Sequence, residues 1–214
     1  MSIAKKPYHH GQLREALLDA GDELLAAEGL RGFTLRACAR LAGVSHAAPK
    51  HHFQDATGFL TALAARGFER LTERLRAGIR QTENLDEEFI ATARAYVGFA
   101  EDNPEHFRIM FRHDLLNVES DHLYYQVSST LTELTNSILR QRGETEISIA
   151  QLSQHVRKTD ELIQDIIIGW CHIHGLAHLI TEQQLDMMPP DRQSELIDQA
   201  AIRIARMIRQ DEGV

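Results

Sequence analysis

The chain has 214 residues, of which 43% are hydrophobic and 25% charged, and a formal net charge of −8. Those proportions suit a globular protein that buries its own core, and they exclude a disordered polyelectrolyte or a disulfide-stapled miniature. Two cysteines in separate halves and no apolar run behind the first lysines predict a cytoplasmic protein with reduced thiols and no secretory signal. The longest stretch free of Asp, Glu, Lys and Arg, residues 166–181, contains three histidines. It falls short of the roughly 20 apolar residues of a membrane span, so no membrane partner is expected.

Helical periodicity runs through the whole length and predicts an all-α fold. Leu13, Leu17, Ala20, Leu24 and Ala27 recur at helical spacing from His10 to Glu28, and Gly29 supplies a stop. Thr34 reads as the N-cap of a second helix that buries Leu35, Cys38, Ala39 and Leu41. Gly43 ends it, and Ser45 is the expected cap of a very short third helix with Pro49 one turn in. Two short helices around a glycine turn are the pattern of a helix-turn-helix. Phe53 closes that small core, which places a first domain at 1–54. A helix starting near Asp55 then leads into a larger helical domain at 55–214.

Further helices are expected over about 86–102, from Pro104 with Asn103 as cap, from Ser120 to near Gly143, over about 160–182, and after Pro189-Pro190. Residues 144–157 are the least periodic and read as a mobile connection.

Charge is spread unevenly. No acid occurs between Glu28 and Asp55, whereas Arg31, Arg36, Arg40 and Lys50 do, and that asymmetry points to a polyanion partner for the N-terminal domain. A helix-turn-helix lays its second helix in the major groove of double-stranded DNA. The groove admits it only if the exposed face is small and carries donors. "SHAAPKHH" has that character. Ala47 and Ala48 permit close approach, while Ser45, His46, Lys50 and His51 are donors to phosphates or bases. Thr34 and Arg36 on the preceding helix, and Lys5 and Lys6 on the N-terminal leader, complete the expected DNA contacts.

"FTLRACARLAGVSHAAPKHHF", preceded by "LREALLDAGDELLAAEGLRG", closely resembles the DNA-binding domain of the TetR (tetracycline repressor) family over residues 9 to about 64. Lys50 stands where that family usually has tyrosine, and Ala56 where it usually has a phosphate-binding lysine. The resemblance implies a rearranged clamp using Lys50 and His51. "NPEHFRIMF" and "GWCHIHGLAHL" look like the subgroup with a Trp-x(3)-His-Gly motif, here Trp170, His174 and Gly175. It also implies that Tyr96, Phe99, Phe107, Met110, Phe111, Tyr125, Trp170 and His174 lie around a pocket for a small-molecule effector that is apolar and uncharged or cationic.

Homodimerisation is expected through the stripes Ile163-Ile167-Trp170-Ile173 and Leu196-Ala200-Ile204-Met207, because one recognition helix is too little surface for tight binding. The implied function is a transcriptional repressor on a palindromic operator. The competing reading is an all-helical metal- or lipid-binding protein. His174 and His178 have the four-residue spacing of a two-histidine metal site. Gly175 replaces the glutamate that a metalloprotease helix needs, and no motif for catalysis, cofactor or metal is otherwise present.

Overall fold

A computed structural model describes residues 10–82, 84–156 and 161–209. Among the described residues the secondary structure is all helical, with ten helices and no strand. The chain divides into two compact units, one of residues 1–67 with 105–123 and one of residues 68–104 with 124–214. It therefore passes between them three times. The helix starting near residue 55 is one of these links, and the others lie at the Asn103-Pro104 corner and early in the helix after Ser120.

In the first unit, α1 (His10–Gly32) carries a break at Gly29, whose φ of 63° is a left-handed conformation that glycine adopts without steric cost. α2 (Leu35–Leu41) is capped by Thr34, which accepts from Ala37 N at 3.1 Å. Gly43, at φ 67°, turns the chain. α3 (Ala48–Phe53) begins later than the sequence suggests. Its N-cap is Ala47, without a side-chain bond, and Ser45 only lends its carbonyl to Ala48 N at 3.0 Å. The extra turn at His46-Ala47 puts Pro49 in the first turn, where a missing N–H breaks no helical bond.

The core beneath these helices is aromatic. Phe59, on α4 (Ala56–Ile79), sits 4.4 Å from Phe53 and 5.5 Å from Phe33, ring centroid to centroid. α6 (Pro104–Met110) closes on the same unit, burying His106, Phe107, Ile109 and Met110. α1 approaches α4 through Gly21, and α4 approaches α6 through Gly67. A Cβ on Gly21 would stand 2.7 Å from Phe59, and one on Gly67 would stand 2.7 Å from the Met110 sulfur.

In the second unit, α5 (Leu85–Asp102) packs against both α9 (Glu161–Thr181) and α10 (Pro190–Ile208). Asn84 caps α5 by accepting from Glu87 N at 2.9 Å. Asn103 does not turn toward the helix after it, since its side-chain amide donates back to Phe99 O at 3.1 Å. α7 (Asp121–Gln141) buries a hydroxyl-rich face. Its Thr130 meets Thr72 at 2.7 Å, and Thr132 bonds back to Ser128 O at 2.7 Å.

The segment expected to be mobile is structured. α8 (Ile149–His155) starts with a capping box between Ser148 and Gln151. Just before it, Asn136 exchanges two hydrogen bonds with the Ile147 backbone, at 2.9 and 3.1 Å. Fourteen residues are too few for periodicity to show, and the organising bonds come from α7.

The dimer stripes are also redistributed. Ile173 and Ile204 are buried in this unit, 8% and 5% exposed, because they lie on the faces that α9 and α10 turn toward α5. The apolar residues left outside are Ile167, Ile168, Leu179 and Met207, between 37% and 47% exposed.

The Gly21 contact yields a measurable expectation. Gly21→Val should destabilise the protein by about 2 kcal/mol, since overpacking against Phe59 outweighs the gain in helix propensity. Urea denaturation followed by circular dichroism measures it, and a midpoint unchanged from the parent would show that Phe59 relocates freely.

Candidate nucleic-acid interface and ligand cavity

The stretch from α2 to α3 sorts its side chains cleanly. Cys38, Ala39, Pro49 and Phe53 are buried, while Arg36, Arg40, Ser45, His46, Ala47, Lys50 and His51 are exposed and Ala48 is half-buried. Thr34 is exposed, and its oxygen is used as the helix cap. A hydroxyl that accepts in a cap still has its proton to give, so a phosphate contact remains open to it. Lys5 and Lys6 lie outside the described residues. Arg40, exposed in the last turn of α2, joins this face although the sequence pattern singles out only Arg36. Burial pushes the Cys38 thiol up to about 11, which leaves it an apolar filler rather than a nucleophile.

Carboxylates of the same unit are gathered elsewhere. Arg66 of α4, largely buried, holds Glu15 at 2.6 Å, Asp19 at 2.7 Å and Asp22 at 2.9 Å, all from α1. Burial opposes the Arg66 charge, and its hydrogen bonds to Asp19, Glu15 and Asp22 outweigh that, so the group stays above its ordinary value. The other oxygen of Asp22 meets His106 Nε2 at 2.9 Å.

The second unit contains an apolar cavity of about 40 Å³ between α5, α7, α9 and α10. Tyr96 and Trp170 form part of its wall, and Ile138, Ile173 and Ile204 much of the remainder. His174 stands behind Tyr96. The Trp170 indole N–H donates to the Tyr96 hydroxyl at 3.3 Å, and that hydroxyl meets His174 Nδ1 at 3.0 Å. An indole can only donate, so the Tyr96 oxygen accepts there, and with His174 as the Nε2–H tautomer the Tyr96 proton goes to Nδ1. That arrangement requires a neutral imidazole protonated at Nε2. Burial, and then the nearby His178, hold His174 below the ordinary histidine value. Burial also raises the Tyr96 phenol, which stays protonated.

The other expected pocket residues are placed differently. Phe107 and Met110 are buried in the first unit, where Phe107 pairs with half-buried Phe111 at 5.2 Å. Phe99 is buried outside the cavity wall, and Tyr125 is 56% exposed. Thr92 and Ser137, which the sequence reading did not single out, do line it. Nothing in single-residue chemistry marks them, because the site exists only once α5 and α7 are paired. Among the described residues no group of three or more His, Cys, Asp or Glu is placed to hold a metal ion. No helix there is long and apolar enough to cross a membrane.

Residues 89–203 match the family model described as the tetracyclin repressor-like C-terminal domain. A solved structure of a protein with unknown function from Rhodococcus sp. RHA1 is 28% identical, with a TM-score of 0.71 over 97% of this chain and 98% of that one. The TetR family regulator PfmR from Thermus thermophilus is 15% identical, with a TM-score of 0.58 over 89% and 97% of the two chains. The fatty acid degradation regulator FadR from Bacillus halodurans is 11% identical, with a TM-score of 0.63 over 95% and 97%. No match is found among curated proteins.

The His174 environment sets a pH dependence. Its folded value lies below its unfolded one, so the unfolded chain binds more protons in that window. The stabilisation is complete above about 6.5 and is lost as pH falls through the folded value. His174→Gln keeps an acceptor for Tyr96 but cannot titrate. Thermal melts between pH 7.5 and 5.5 should therefore fall less steeply for this variant than for the parent. Equal slopes would place the neutral imidazole outside the folding equilibrium.

Proposed function

The chain belongs to the TetR family of DNA-binding transcriptional regulators, and from that membership we propose a cytoplasmic repressor that grips a palindromic operator as a homodimer and is released by a small-molecule effector. The observation that carries the operator reading is the exposed face of α2 and α3, which offers two arginines, two histidines, a lysine and a serine without one carboxylate. A groove rich in phosphate and base acceptors is met by donors alone. Two alanines beside them leave room for the backbone to come close.

Dimerisation is supported by the second unit. Ile167, Ile168 and Leu179 on α9 and Met207 on α10 leave more apolar surface outside than those helices need for their own core. Packed about a two-fold axis, the two helices and their copies would form a four-helix interface, and two recognition helices would then read two half-sites.

Effector release is supported by the cavity. A ligand changes DNA affinity only by binding one arrangement of the protein better than another. Entry of a molecule into about 40 Å³ has to displace helices α5, α7, α9 or α10. Of these, α7 is continuous with the chain that crosses between the two units, and α5 ends at another crossing. The competing reading, a metal- or lipid-binding protein without an operator, lacks a supporting ligand set.

A mobility shift on the DNA upstream of the protein's own coding sequence, at two salt concentrations, tests the reading directly. Specific retardation that weakens with salt is expected, and its absence at low salt would overturn it. Lys50→Glu should abolish retardation while leaving the circular dichroism spectrum unchanged. Each lost phosphate contact should lower the salt slope by about 1. A folded variant with parental affinity would remove α3 from the interface.

Sedimentation addresses the dimer. Ile167→Glu, on a residue that is exposed in one protomer, should halve the mass observed at micromolar concentration without lowering helix content. A parental protein that sediments as a monomer would refute the two-fold arrangement.

A further inference from the structure

The cavity wall comprises fourteen residues, and none is Asp, Glu, Lys, Arg or His. A charged occupant would lose its hydration there and meet no counter-charge, a cost of several kcal/mol on any scale. The occupant is therefore uncharged. The closed cavity is small, so a ligand of several heavy atoms enters only as the wall yields. About 40 Å³ exceeds the roughly 10–15 Å³ one water needs, yet falls well below the ~150 Å³ of an engineered apolar cavity that takes benzene. Gly169 preserves what space there is, since a Cβ at that position would lie 3.6 Å from Ile138 and 3.9 Å from Ile204. Half-buried Trp170 is the wall element with room to yield.

Four of the side chains on this otherwise apolar wall carry hydrogen-bonding atoms: Thr92, Tyr96, Ser137 and Trp170. Three protons are committed. The Trp170 indole donates to Tyr96, and Tyr96 to His174. The Thr92 hydroxyl donates to Glu88 O at 2.9 Å. Ser137 is different. It is 1% exposed, and its hydroxyl contact is with Thr92 Oγ1 at 3.5 Å, far beyond the ~2.7–2.8 Å of a good O–H···O bond. Because Thr92 has spent its proton on Glu88, Ser137 is the donor in that long contact and gains little from it. A buried hydroxyl with so weak an acceptor favours any ligand that brings a better one.

Resting on the reading of this cavity as the effector site, we propose that its ligand is a compact, uncharged, apolar molecule bearing one carbonyl oxygen, and that Ser137 is the specificity-determining residue that donates to that oxygen. Thr92 is the positioning residue. Its own proton is turned away to Glu88, so it leaves the Ser137 proton as the donor facing the cavity. The apolar remainder of the ligand contacts Tyr96, Ile138 and Trp170.

An isosteric pair of probes tests the assignment: cyclopentanone, and methylenecyclopentane, in which a CH₂ group replaces the oxygen. Calorimetric titration of the full chain gives both affinities, and the emission of Trp170, the single tryptophan, reports whether binding occurs at this wall. Ser137→Ala should weaken cyclopentanone by about tenfold, the scale of one lost buried hydrogen bond. Methylenecyclopentane should change by no more than about twofold, and its binding also shows that the variant is folded. Equal weakening of both probes, or of neither, would overturn the role of Ser137 while leaving the cavity as the effector site. Failure of both probes to bind the parent protein or move its emission would remove the cavity reading and the proposal with it.

Discussion

One guanidinium organises the DNA-binding half of the molecule. Arg66 reaches from α4 to three carboxylates on successive turns of α1, and Asp22 passes the connection on to His106 of α6. Three helices are thereby fixed around one buried positive group. An isolated surface pair is worth little, but a network with a largely buried centre fixes register, because Arg66 and Asp22 at its centre would be left buried and charged if the helices parted. The aromatic contacts of Phe59 with Phe33 and Phe53 depend on that register, since Gly21 allows no slack between α1 and α4. The pose of α2 and α3 follows from it.

The second unit has an underfilled apolar centre, and ion pairs, one of them largely buried, join its helices around it. Arg94 clamps α5 to α10 through both oxygens of Asp198, and Arg140 ties α7 to Glu88 of α5. Arg142 does the same between α7 and Asp165 of α9. Clamps at the edges let the four helices stay together although their apolar faces do not close at Gly169. Close-packed interiors tolerate few voids. One that persists between four helices, with a hydroxyl left poorly satisfied on its wall, is a place where an added molecule restores lost contacts.

Much of this was legible in the residues themselves. Of the positions that recur at helical spacing in α1, Leu17, Ala20 and Leu24 are buried, Leu13 is half-buried and Ala27 is exposed, while Phe89, Ala93 and Tyr96 of α5 are all buried. Thr34 and Gly43 act locally, so their roles follow from their own chemistry. What escaped depended on partners distant in sequence. Ser45 has the composition of a cap, but the chain takes another turn before α3 begins. Residues 144–156 lack periodicity because Asn136 and Arg140 organise them from outside. The aromatic run Phe107 to Phe111 has the content of a ligand box, yet it belongs to the first unit and does not contribute to the wall of the cavity in the second. Ser137 and Thr92 carry no sequence signal at all, being ordinary hydroxyls on helix faces until two helices bring them together.

The net charge of −8 looks unfavourable for a protein whose partner is a polyanion, and the distribution of carboxylates resolves the conflict. At physiological ionic strength exposed charges more than roughly 8 Å apart are largely screened. The sum over the whole chain therefore matters less at the groove than the sign of the few groups beside it. From residue 29 to 54 every formally charged group is positive. Three of the five acids of α1, Glu15, Asp19 and Asp22, are drawn to Arg66, where each is partly neutralised in place. The same residue that fixes the helices thus also offsets part of the negative charge of α1. Packing and charge compensation thus meet in one residue, while the stretch from 29 to 54 keeps a positive sign inside an acidic chain and so a local attraction for a polyanion.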